Sequence, residues 1–588
     1  MNKAKYDGVE HPVRQVTDLK DIIVSSCSMF KDDTAFLEKD KPGGTFQPIS
    51  YAKVKDDVDA LGTKLMDMGL KGSKIAVVGE TSYHWFLTYF ATVCGVGVIV
   101  PLDKNLPQDE LKSLIERSHA KAIVFSKRME KTIKPLYDEP GEIEYFISMS
   151  ESENEKVLSL EHLIEEGNKL LGEGVRDFVD AEINPEEMAS LLFTSGTTGK
   201  SKGVMLSHKN IASNVVNVSK RVTLDKGCVV LSILPVHHTY ENTIDWVTIY
   251  QGRTIAVCEG IKYILKNMNE VKANCMVGVP LVFEKIFKGI MKQAEGRGEG
   301  EKVRNAIALS RRLKLFNNRR LIRKLFKPVH QAFGGGMQLF IAGGAAMDPE
   351  ITESFEAMGI PMIQGYGMTE YAPIIAVNQD NYSIARSVGR PMPETLVRID
   401  NADENGIGEI VVKGPSVMLG YYEDQEATDE VIEDGWLHTG DLGYLDSNDF
   451  LYLTGRKKTV IVTKGGKNIF PEEIEAVLKE NELIKETIVH GVTDNTVGNV
   501  IVTADIQPNY ELLEEQRGKM SSSDVYHFYR ELIDEINKTL PPYKAIKRIN
   551  IRENGFAMTT TGKVKRYGNF IEGAAEKGSP DFLEKKAE

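Results

Sequence analysis

Short apolar runs alternate with amphipathic stretches through the first part of the chain. Residues 74–79, 97–102 and 120–125 are rich in Val, Ile and Ala, which is typical of strands that are buried on both faces. Between the last two runs, residues 106–119 repeat their apolar positions at helical spacing. This alternation of strand and helix predicts an α/β protein with parallel sheets flanked by helices.

A change of composition late in the chain predicts a second domain. The chain has 588 residues, which is enough for several structural units. After the basic run 455–458, an apolar run at 459–463 opens a region that is more charged and more helical. We therefore expect residues 1–457 to form a large domain of β-sheets flanked by helices, and residues 458–588 to form a small, mobile α+β domain.

The most apolar long stretch, residues 86–102, is at the short limit for a membrane span. It contains threonine and tyrosine and ends near Pro101, so a buried helix that leads into a buried strand is the better interpretation. The N-terminus has no apolar run after its lysines, and no secretory signal is expected. The cysteines lack metal-site or redox spacing, which predicts free, mostly buried thiols in a reducing cytoplasm. They are Cys27, Cys94, Cys228, Cys258 and Cys275.

Charge adds one local feature to this picture. The formal net charge is −13, which favours solubility and argues against nucleic acid as a partner. Residues 292–327 reverse the sign, because Lys and Arg crowd there with apolar residues between them. A pair of solvated surface helices explains this pattern. A basic amphipathic patch that makes a peripheral contact with anionic lipid at the inner membrane face explains it as well.

The strongest chemical signal is the segment 191–204, in which an apolar strand runs into hydroxyls, glycines and lysines. Glycines allow a close approach of the backbone, and successive amides and hydroxyls form a site for an anion. A Walker loop requires glycine where this chain has Thr194, so the segment is not a P-loop. The candidate phosphate-binding residues are Thr194, Ser195, Gly196, Thr197, Thr198 and Lys202.

Further candidate nucleotide ligands follow in order along the chain. The segment 364–367 places Tyr366 between two glycines, which leaves room for a flat base and offers an aromatic face for stacking. Glu370 supplies a carboxylate of the kind that Mg²⁺ prefers where it bridges phosphates. Asp441, within 436–443, can accept hydrogen bonds from both hydroxyls of a ribose.

Together these motifs resemble those of the adenylate-forming superfamily, and the resemblance covers residues 50–566. Within its acyl-CoA synthetase branch, the chain is most similar to long-chain fatty acid–CoA ligases, which look alike in the basic segment 292–327. The motif 234–241 resembles the family's acyl-pocket motif, so His238 is expected to border the substrate carboxylate. The motif 559–566 resembles that of the family's catalytic lysine, which implies this role for Lys563.

The resemblance implies roles for the remaining motifs. Thr194 and Glu370 are expected to bind Mg²⁺ and to act in catalysis with His238 and Lys563. Arg456 is expected to meet the ribose, and Lys458 falls at the hinge position. The expected ligands of ATP or coenzyme A beyond the phosphate loop are Gly343, Gly344, Ala345, Gly365, Tyr366, Gly367, Thr369, Asp441, Arg456, Lys458, Lys464, Gly465 and Gly466.

The implied activity is that of an acid–thiol ligase that uses ATP, Mg²⁺ and coenzyme A. A carboxylic acid, expected to be a long-chain fatty acid, forms an acyl-adenylate with release of pyrophosphate, and coenzyme A then takes the acyl group with release of AMP. Transfer to the pantetheine arm of a carrier protein, or activation of a medium-chain or aryl acid, is the alternative. A scaffold that binds fatty acid without catalysis and a kinase that releases ADP are rivals from other classes.

Overall fold

The structure is a computed structural model of the chain. It describes residues 10–194, 201–315, 318–462, 468–494, 499–557, 564 and 566. The chain divides into two compact units that interleave along the sequence. The larger unit comprises Met1–Val397, Val412–Leu437 and Asp446–Leu451, and the smaller unit comprises Arg398–Val411, His438–Leu445 and Tyr452–Glu588. The division into domains 1–457 and 458–588 stays a prediction.

Strands and helices alternate through most of the described chain. The strands are β1 Thr34–Lys39, β2 Phe46–Ser50, β3 Ser73–Val78, β4 Gly97–Leu102, β5 Ala120–Phe125, β6 Tyr145–Ser148, β7 Val157–Ser159, β8 Met188–Thr194, β9 Lys202–Ser207, β10 Val229–Ser232, β11 Thr254–Val257, β12 Cys275–Gly278, β13 Leu339–Ala342, β14 Met362–Gly367, β15 Ile374–Val377, β16 Arg390–Pro391, β17 Leu396–Asp400, β18 Gly408–Lys413, β19 Gly420–Tyr421, β20 Ile432–Glu433, β21 Trp436–Leu445, β22 Leu451–Arg456, β23 Ile461–Val462, β24 Asn468–Ile469, β25 Ile484–Asp494, β26 Asn499–Pro508 and β27 Arg548–Ile551. The helices are α1 Leu19–Met29, α2 Tyr51–Asp67, α3 Tyr83–Ala91, α4 Gln108–Ser118, α5 Glu130–Ile133, α6 Leu160–Gly172, α7 His208–Arg221, α8 Thr239–Tyr250, α9 Ile264–Val271, α10 Pro280–Gly296, α11 Gly300–Leu313, α12 Arg319–Leu325, α13 Lys327–Ala332, α14 Pro349–Ala357, α15 Gln425–Asp429, α16 Pro471–Lys479, α17 Tyr510–Arg517 and α18 Ser522–Asn537.

Two large sheets organise the larger unit. One has the strand order β16-β15-β14-β13-β12-β10-β11-β1-β2, and the other has the order β19-β9-β8-β4-β3-β5-β6-β7. The middle of each sheet is parallel: β14 through β1 in the first, and β8 through β7 in the second. This arrangement confirms the predicted α/β class. Its consequence is that the carboxyl ends of neighbouring strands collect at one edge of each sheet.

Aromatic packing fixes the helices on one face of the nine-stranded sheet. Phe340 of β13 lies 5.1 Å from Phe283 of α10 and 5.2 Å from Phe355 of α14, measured between ring centroids, and all three side chains are fully buried. Tilted and edge-on contacts of this kind add to the free energy that burial of the rings supplies. β13, which leads into one of the predicted motifs, is therefore packed against both helices.

The apolar runs become the expected buried elements. β3, β4 and β5 coincide with the predicted strands, and α4 buries Leu111, Leu114 and Ile115. Residues 86–102 form the end of α3, a wide turn at Thr92–Val96 and then β4. No helix in the described ranges is long and apolar enough to cross a membrane. The five cysteines carry free thiols, of which four are buried and Cys258 is partly exposed.

The smaller unit has its own sheet and core. β25 and β26 are antiparallel, β27 is parallel to β26, and α16, α17 and α18 contribute to the buried cluster beside them. Tyr529 and Ile533 of α18 are fully buried in that cluster. The mixture agrees with the predicted α+β composition.

The basic segment 292–327 folds into the end of α10, the helices α11 and α12, and the start of α13. Three of its apolar residues, Ile307, Ile322 and Phe326, enter the core of the larger unit. Two others, Leu313 and Leu325, remain 57% and 45% exposed. The segment is thus a set of surface helices that keeps part of its apolar surface in solvent.

Candidate functional site

Three predicted motifs follow strands of the nine-stranded sheet. His238 comes after β10, Gly343–Ala345 follow β13, and Gly365–Gly367 end β14. β10 and β13 are both paired with β12, and β13 is paired with β14, all in parallel. The three motifs therefore lie at the same edge, which is where open α/β sheets bind their ligands.

Local backbone geometry explains two of the glycines. Gly344 has a φ of 82°, in the left-handed region that favours glycine. A β-carbon at Gly367 would lie 1.9 Å from the carbonyl oxygen of Pro373. Between Gly365 and Gly367, Tyr366 is only 8% exposed, so a small part of its side chain is accessible to a base. Its role in stacking stays a prediction.

Thr194 and Lys202 form the two ends of the predicted phosphate loop. Thr194 ends β8, Lys202 begins β9, and the two residues are direct partners across this antiparallel pair. The Thr194 hydroxyl donates to the carbonyl oxygen of Lys202 at 3.4 Å. The pairing brings a hydroxyl and a basic residue to one place. The other predicted loop residues, which lie outside the described residues, are Ser195, Gly196, Thr197 and Thr198.

Tyr421 connects this pair of strands to Glu370. Because β19 pairs with β9, the Lys202 ammonium nitrogen lies 4.6 Å from the centroid of the Tyr421 ring. The Tyr421 hydroxyl donates to Oε1 of Glu370 at 2.9 Å. Burial raises the pKa of Tyr421, and the Glu370 carboxylate raises it further, so the phenol keeps its proton at neutral pH and acts as the donor.

Helix α8 starts beside the turn that carries Thr369. The hydroxyls of Thr239 and Thr369 lie 3.4 Å apart, and His238 immediately precedes Thr239. The ring centroids of His237 and His238 are 4.6 Å apart. Burial, and then the charge of His238, lower the pKa of His237, so His237 is neutral at physiological pH. The predicted carboxylate-bordering residue His238 is thus close to the turn of the predicted metal ligand.

A buried asparagine fixes that turn. Nδ2 of Asn214, on α7, donates to the carbonyl oxygens of Ile374 at 2.9 Å and Tyr371 at 3.4 Å. Its Oδ1 accepts from the Ile374 amide at 3.3 Å. One amide side chain therefore pairs with backbone groups on the chain directly after Glu370, which limits how far that turn can move.

In the smaller unit, the two predicted ribose ligands are adjacent. Nε of Arg456 lies 3.1 Å from Oδ1 of Asp441, and the amide of Asp441 donates to the Thr439 hydroxyl at 3.1 Å. Asp441 is almost buried and Arg456 is exposed. Lys458, the predicted hinge residue, is exposed in the short turn Lys457–Thr459.

Glu409 supports the turn before Asp441. Its Oε1 accepts from the amide of Gly440 at 3.2 Å, and its Oε2 lies 2.8 Å from Nζ of Lys457. Burial raises the pKa of Glu409, but the hydrogen bond and charge of Lys457 and the charge of His438 outweigh burial, so the pKa is below its usual value. The carboxylate is therefore ionised at neutral pH and ties two parts of the predicted ribose site together.

Arg566 ends the motif that contains Lys563. It donates from Nη2 to both carboxylate oxygens of Glu475 on α16, at 2.8 and 2.7 Å. α16 begins with Pro471 in its first turn, a position that suits proline because its missing amide would have no helical partner there. The predicted functional residues of this region that lie outside the described residues are Lys464, Gly465, Gly466 and Lys563.

The oxygen donors of the larger unit suit a magnesium ion that is shared with a nucleotide. Mg²⁺ usually takes one or two protein oxygens and keeps phosphate and water ligands. Glu370 and Thr194 offer a carboxylate and a hydroxyl of this kind. Within the described ranges, no group of three or more His, Cys, Asp or Glu side chains could hold a metal. The donor set fits Mg²⁺ on phosphates better than a closed metal cage.

Comparison with known proteins identifies the family. Residues 24–422 match the family described as AMP-binding enzyme. The chain belongs to this family. Residues 458–569 also match the AMP-binding enzyme C-terminal domain. The resemblance to adenylate-forming enzymes that the motifs predicted is therefore confirmed.

Relatives of this AMP-binding enzyme include ligases of both acceptor types. Long-chain-fatty-acid–CoA ligase FadD15 of Mycobacterium bovis is 26% identical over 552 residues, which are 89% of this chain and 90% of that protein. Long-chain-fatty-acid–[acyl-carrier-protein] ligase AEE15, chloroplastic, of Arabidopsis thaliana is 25% identical over 625 residues, which are 93% and 84% of the two chains. A crystal structure of the anthranilate CoA ligase AuaEII with anthranoyl-AMP has a TM-score of 0.72 at 18% identity, and the match covers 94% of this chain and 96% of that chain. This last likeness confirms the fold.

Motif analysis of this AMP-binding enzyme missed the residues that connect the motifs. Tyr421 and Glu409 each bond to a predicted motif, and Asn214 bonds to the chain directly after one, yet none of the three lies inside these motifs. Tyr421 sits in a Gly-Tyr-Tyr sequence, and a Tyr-Tyr pair after glycine indicates a strand but not its partner. Asn214 is a buried polar residue on an otherwise amphipathic helix, and burial is not visible in the sequence.

Proposed function

We propose that this AMP-binding enzyme is an acid–thiol ligase that converts ATP, a long-chain fatty acid and coenzyme A into acyl-CoA, AMP and pyrophosphate. The observation that carries the proposal is that His238 and the Thr369–Glu370 turn, at one edge of the nine-stranded sheet, are connected to the Thr194–Lys202 pair of the eight-stranded sheet. The hydrogen bond from Tyr421 to Glu370 joins the last two. The family match supports adenylate chemistry for such a site.

In the first half-reaction, an oxygen of the substrate carboxylate attacks the α-phosphorus of ATP, and the bond from that phosphorus to the bridging oxygen breaks. Thr194, Lys202 and the residues between them hold the departing pyrophosphate, and His238 borders the attacking carboxylate. Magnesium, when bound through Glu370 and Thr194, neutralises phosphate charge. Lys563 stabilises the charge that develops on the α-phosphate oxygens. The products are an acyl-adenylate and pyrophosphate.

In the second half-reaction, the thiol sulfur of coenzyme A attacks the acyl carbonyl carbon, and AMP leaves. Asp441 and Arg456 hold the ribose. The small domain 458–588 turns about Lys458, so that the loop with Lys464, Gly465 and Gly466 replaces Lys563. Such a turn lets one site serve two geometries in sequence.

Two finer parts of the proposal rest on the relatives. A long-chain fatty acid is proposed because the similar ligases carry that substrate in their names. Coenzyme A is favoured as the acceptor, and a carrier-protein pantetheine is the second candidate because one similar ligase uses an acyl carrier protein by name. The chemistry up to the acyl-adenylate is the same for both acceptors.

The test uses the full chain with Mg·ATP and a panel of carboxylates from medium to long chain, plus aryl acids. AMP and acyl thioester are measured with coenzyme A, with an acyl carrier protein, and with neither. Acyl-CoA and AMP in equal amounts with long-chain acids support the proposal. If acyl-adenylate forms without acyl-CoA and the carrier protein becomes acylated, the acceptor is the carrier protein and not coenzyme A. ADP as the nucleotide product would refute adenylate formation altogether.

We also propose a peripheral contact between segment 292–327 and anionic lipid. The segment carries twelve Lys and Arg residues against three Glu, in a chain with a net charge of −13. Exposed leucines accompany these charges on α11 and α12: Leu309, Leu313, Leu321 and Leu325. Basic side chains with apolar residues between them match the interface of an anionic membrane.

Co-sedimentation with vesicles at low ionic strength tests this contact. Binding to phosphatidylglycerol vesicles, but not to phosphatidylcholine vesicles, is expected, and the double variant Arg320→Glu/Lys324→Glu should weaken it roughly thirtyfold at about 1 kcal/mol per basic residue. Lys131→Glu/Lys134→Glu is the matched control, because both lysines are exposed outside the segment. Equal binding of both double variants would refute the assignment of the surface.

A further inference from the structure

We propose that Tyr421 is a positioning residue that orients the Glu370 carboxylate for magnesium and keeps it apart from the Lys202 ammonium. The inference rests on the proposed function, since it takes Glu370 as the metal ligand and Lys202 as a phosphate ligand. Tyr421 belongs to none of the motifs that indicate adenylate chemistry. Its side chain contacts one residue in each of two motifs, Lys202 and Glu370.

The geometry places Tyr421 between two opposite charges. Its ring centroid lies 4.6 Å from Nζ of Lys202, and its hydroxyl lies 2.9 Å from Oε1 of Glu370. No ion pair between Lys202 and Glu370 is present among the residues that the structure describes. A direct pair would neutralise a cation that is proposed for phosphate and an anion that is proposed for metal. The aromatic ring instead satisfies the ammonium on its face.

Tyr421 is itself held from several directions. β19 pairs with β9, with Tyr421 opposite Val204. The Tyr421 amide donates to the Thr428 hydroxyl at 2.8 Å, and the Met418 amide donates to the Glu370 carbonyl oxygen at 2.9 Å. The side chain is 8% exposed. A donor that is fixed in this way restricts the carboxylate to one orientation before any ligand arrives.

The hydrogen bond between Tyr421 and Glu370 leaves the carboxylate able to bind a cation. The Tyr421 hydroxyl donates to one carboxylate oxygen of Glu370, which leaves the other lone pairs of that carboxylate available to a cation. Groups that orient a metal ligand from behind are worth about tenfold or more in metal affinity. Removing the hydroxyl while keeping the ring should therefore weaken magnesium binding and spare the contact with Lys202.

Tyr421→Phe makes this change, and Tyr422→Phe is the matched control. Tyr422 is the next residue, and Nζ of Lys74 lies 4.9 Å from its ring centroid, so the control removes a hydroxyl from a second tyrosine with a cation on its face. The readout is calorimetric: ATP is titrated into the full chain at a series of Mg²⁺ concentrations, without fatty acid or coenzyme A. Tyr421→Phe should raise the Mg²⁺ concentration for half-maximal enhancement about tenfold. Tyr422→Phe should leave it unchanged.

The variant Glu370→Gln distinguishes a failure of this inference from a failure of the proposed function. If Glu370→Gln changes the Mg²⁺ dependence and Tyr421→Phe does not, Tyr421 does not position the ligand and the inference is wrong. If neither variant changes it, Glu370 does not bind the metal and the proposed function loses that assignment. Tyr421→Ala, which also removes the ring beneath Lys202, should weaken ATP binding without Mg²⁺, whereas Tyr421→Phe should not.

Discussion

Asn214 offers a test of how the protein holds the turn of its proposed metal ligand. The side chain is 1% exposed and forms hydrogen bonds with both the amide and the carbonyl oxygen of Ile374. Asn214→Ala removes both partners at once. A buried backbone group that loses its hydrogen bond costs about 1–3 kcal/mol, so the two groups together predict a loss of about 2–6 kcal/mol in the free energy of unfolding.

A second asparagine on the same helix supplies the control. Asn217 is 3% exposed, and its Oδ1 has no hydrogen-bond partner among the described residues. Asn217→Ala removes a side chain of equal size with fewer hydrogen bonds to lose. Urea unfolding of the two variants, at equal m-values, should show Asn214→Ala as the less stable by about 2 kcal/mol or more.

The same variants test the functional consequence. Asn214 bonds to the chain directly after Glu370, so Asn214→Ala should also weaken the binding of Mg·ATP under conditions where the variant is still folded. Calorimetry at low temperature in the absence of urea measures this affinity. Equal stability of the two variants would show that the hydrogen bonds to Ile374 are not what holds the turn. Unchanged affinity would show that the turn is fixed by its other contacts.

Three further predictions concern other parts of the site. The pKa of Glu409 lies below its usual 4.5, so the ionised carboxylate contributes fully to stability above pH 4.5, and this contribution is lost as the pH falls through the lowered pKa. Glu409→Gln keeps a side chain of similar size beside Lys457 but has no charge. In urea unfolding, the stability advantage of wild type over Glu409→Gln should therefore shrink between neutral pH and pH below 4.5. Arg566→Lys removes the guanidinium whose Nη2 donates to both carboxylate oxygens of Glu475, and it should slow acyl-adenylate formation in single-turnover assays. Gly367→Ala places a β-carbon 1.9 Å from a carbonyl oxygen and should abolish ATP binding by calorimetry.

Much of the fold and the order of the motifs could be predicted from the sequence. The strands β3, β4 and β5 are buried on both faces, so their apolar runs are continuous and easy to recognise. The motifs are legible because glycines, hydroxyls and charged residues follow such runs directly. Both the apolar runs and the motifs are patterns of residues that are close together in the chain, so they can be recognised without knowing the fold.

The connections between motifs could not be predicted, because they depend on which distant strands become neighbours. Tyr421 reaches Glu370 only because β19 adds to the edge of β9, and no spacing in the sequence indicates this pairing. Glu409 is a glutamate on a strand, which usually indicates a solvent-facing position. Its burial beside Lys457 is a property of the folded unit.

Helix α8 shows why the hydrophobic pattern does not predict burial near the candidate site. Glu241, Asn242, Thr243, Asp245 and Thr248 are all buried on this one helix. Burial raises the pKa of Glu241 to about 8, and burial together with the charge of Glu241 raises the pKa of its neighbour Asp245. A helix in the interior of an ordinary core would carry leucine at these positions, since buried polar groups cost free energy unless they are bonded.

Hydrogen bonds and close contacts give three residues of α8 a structural role. Thr239 lies beside Thr369, the Tyr240 hydroxyl donates to the Ile341 carbonyl oxygen at 3.3 Å, and the Thr243 hydroxyl donates to the carbonyl oxygen of Ala372 at 3.5 Å. One helix thus touches the end of β13 and both sides of the turn that carries Glu370. Leucines could fill the same volume but could not pair with those backbone groups. Burying polar residues on this helix costs free energy, and in return their hydrogen bonds hold the loops on which adenylate chemistry depends.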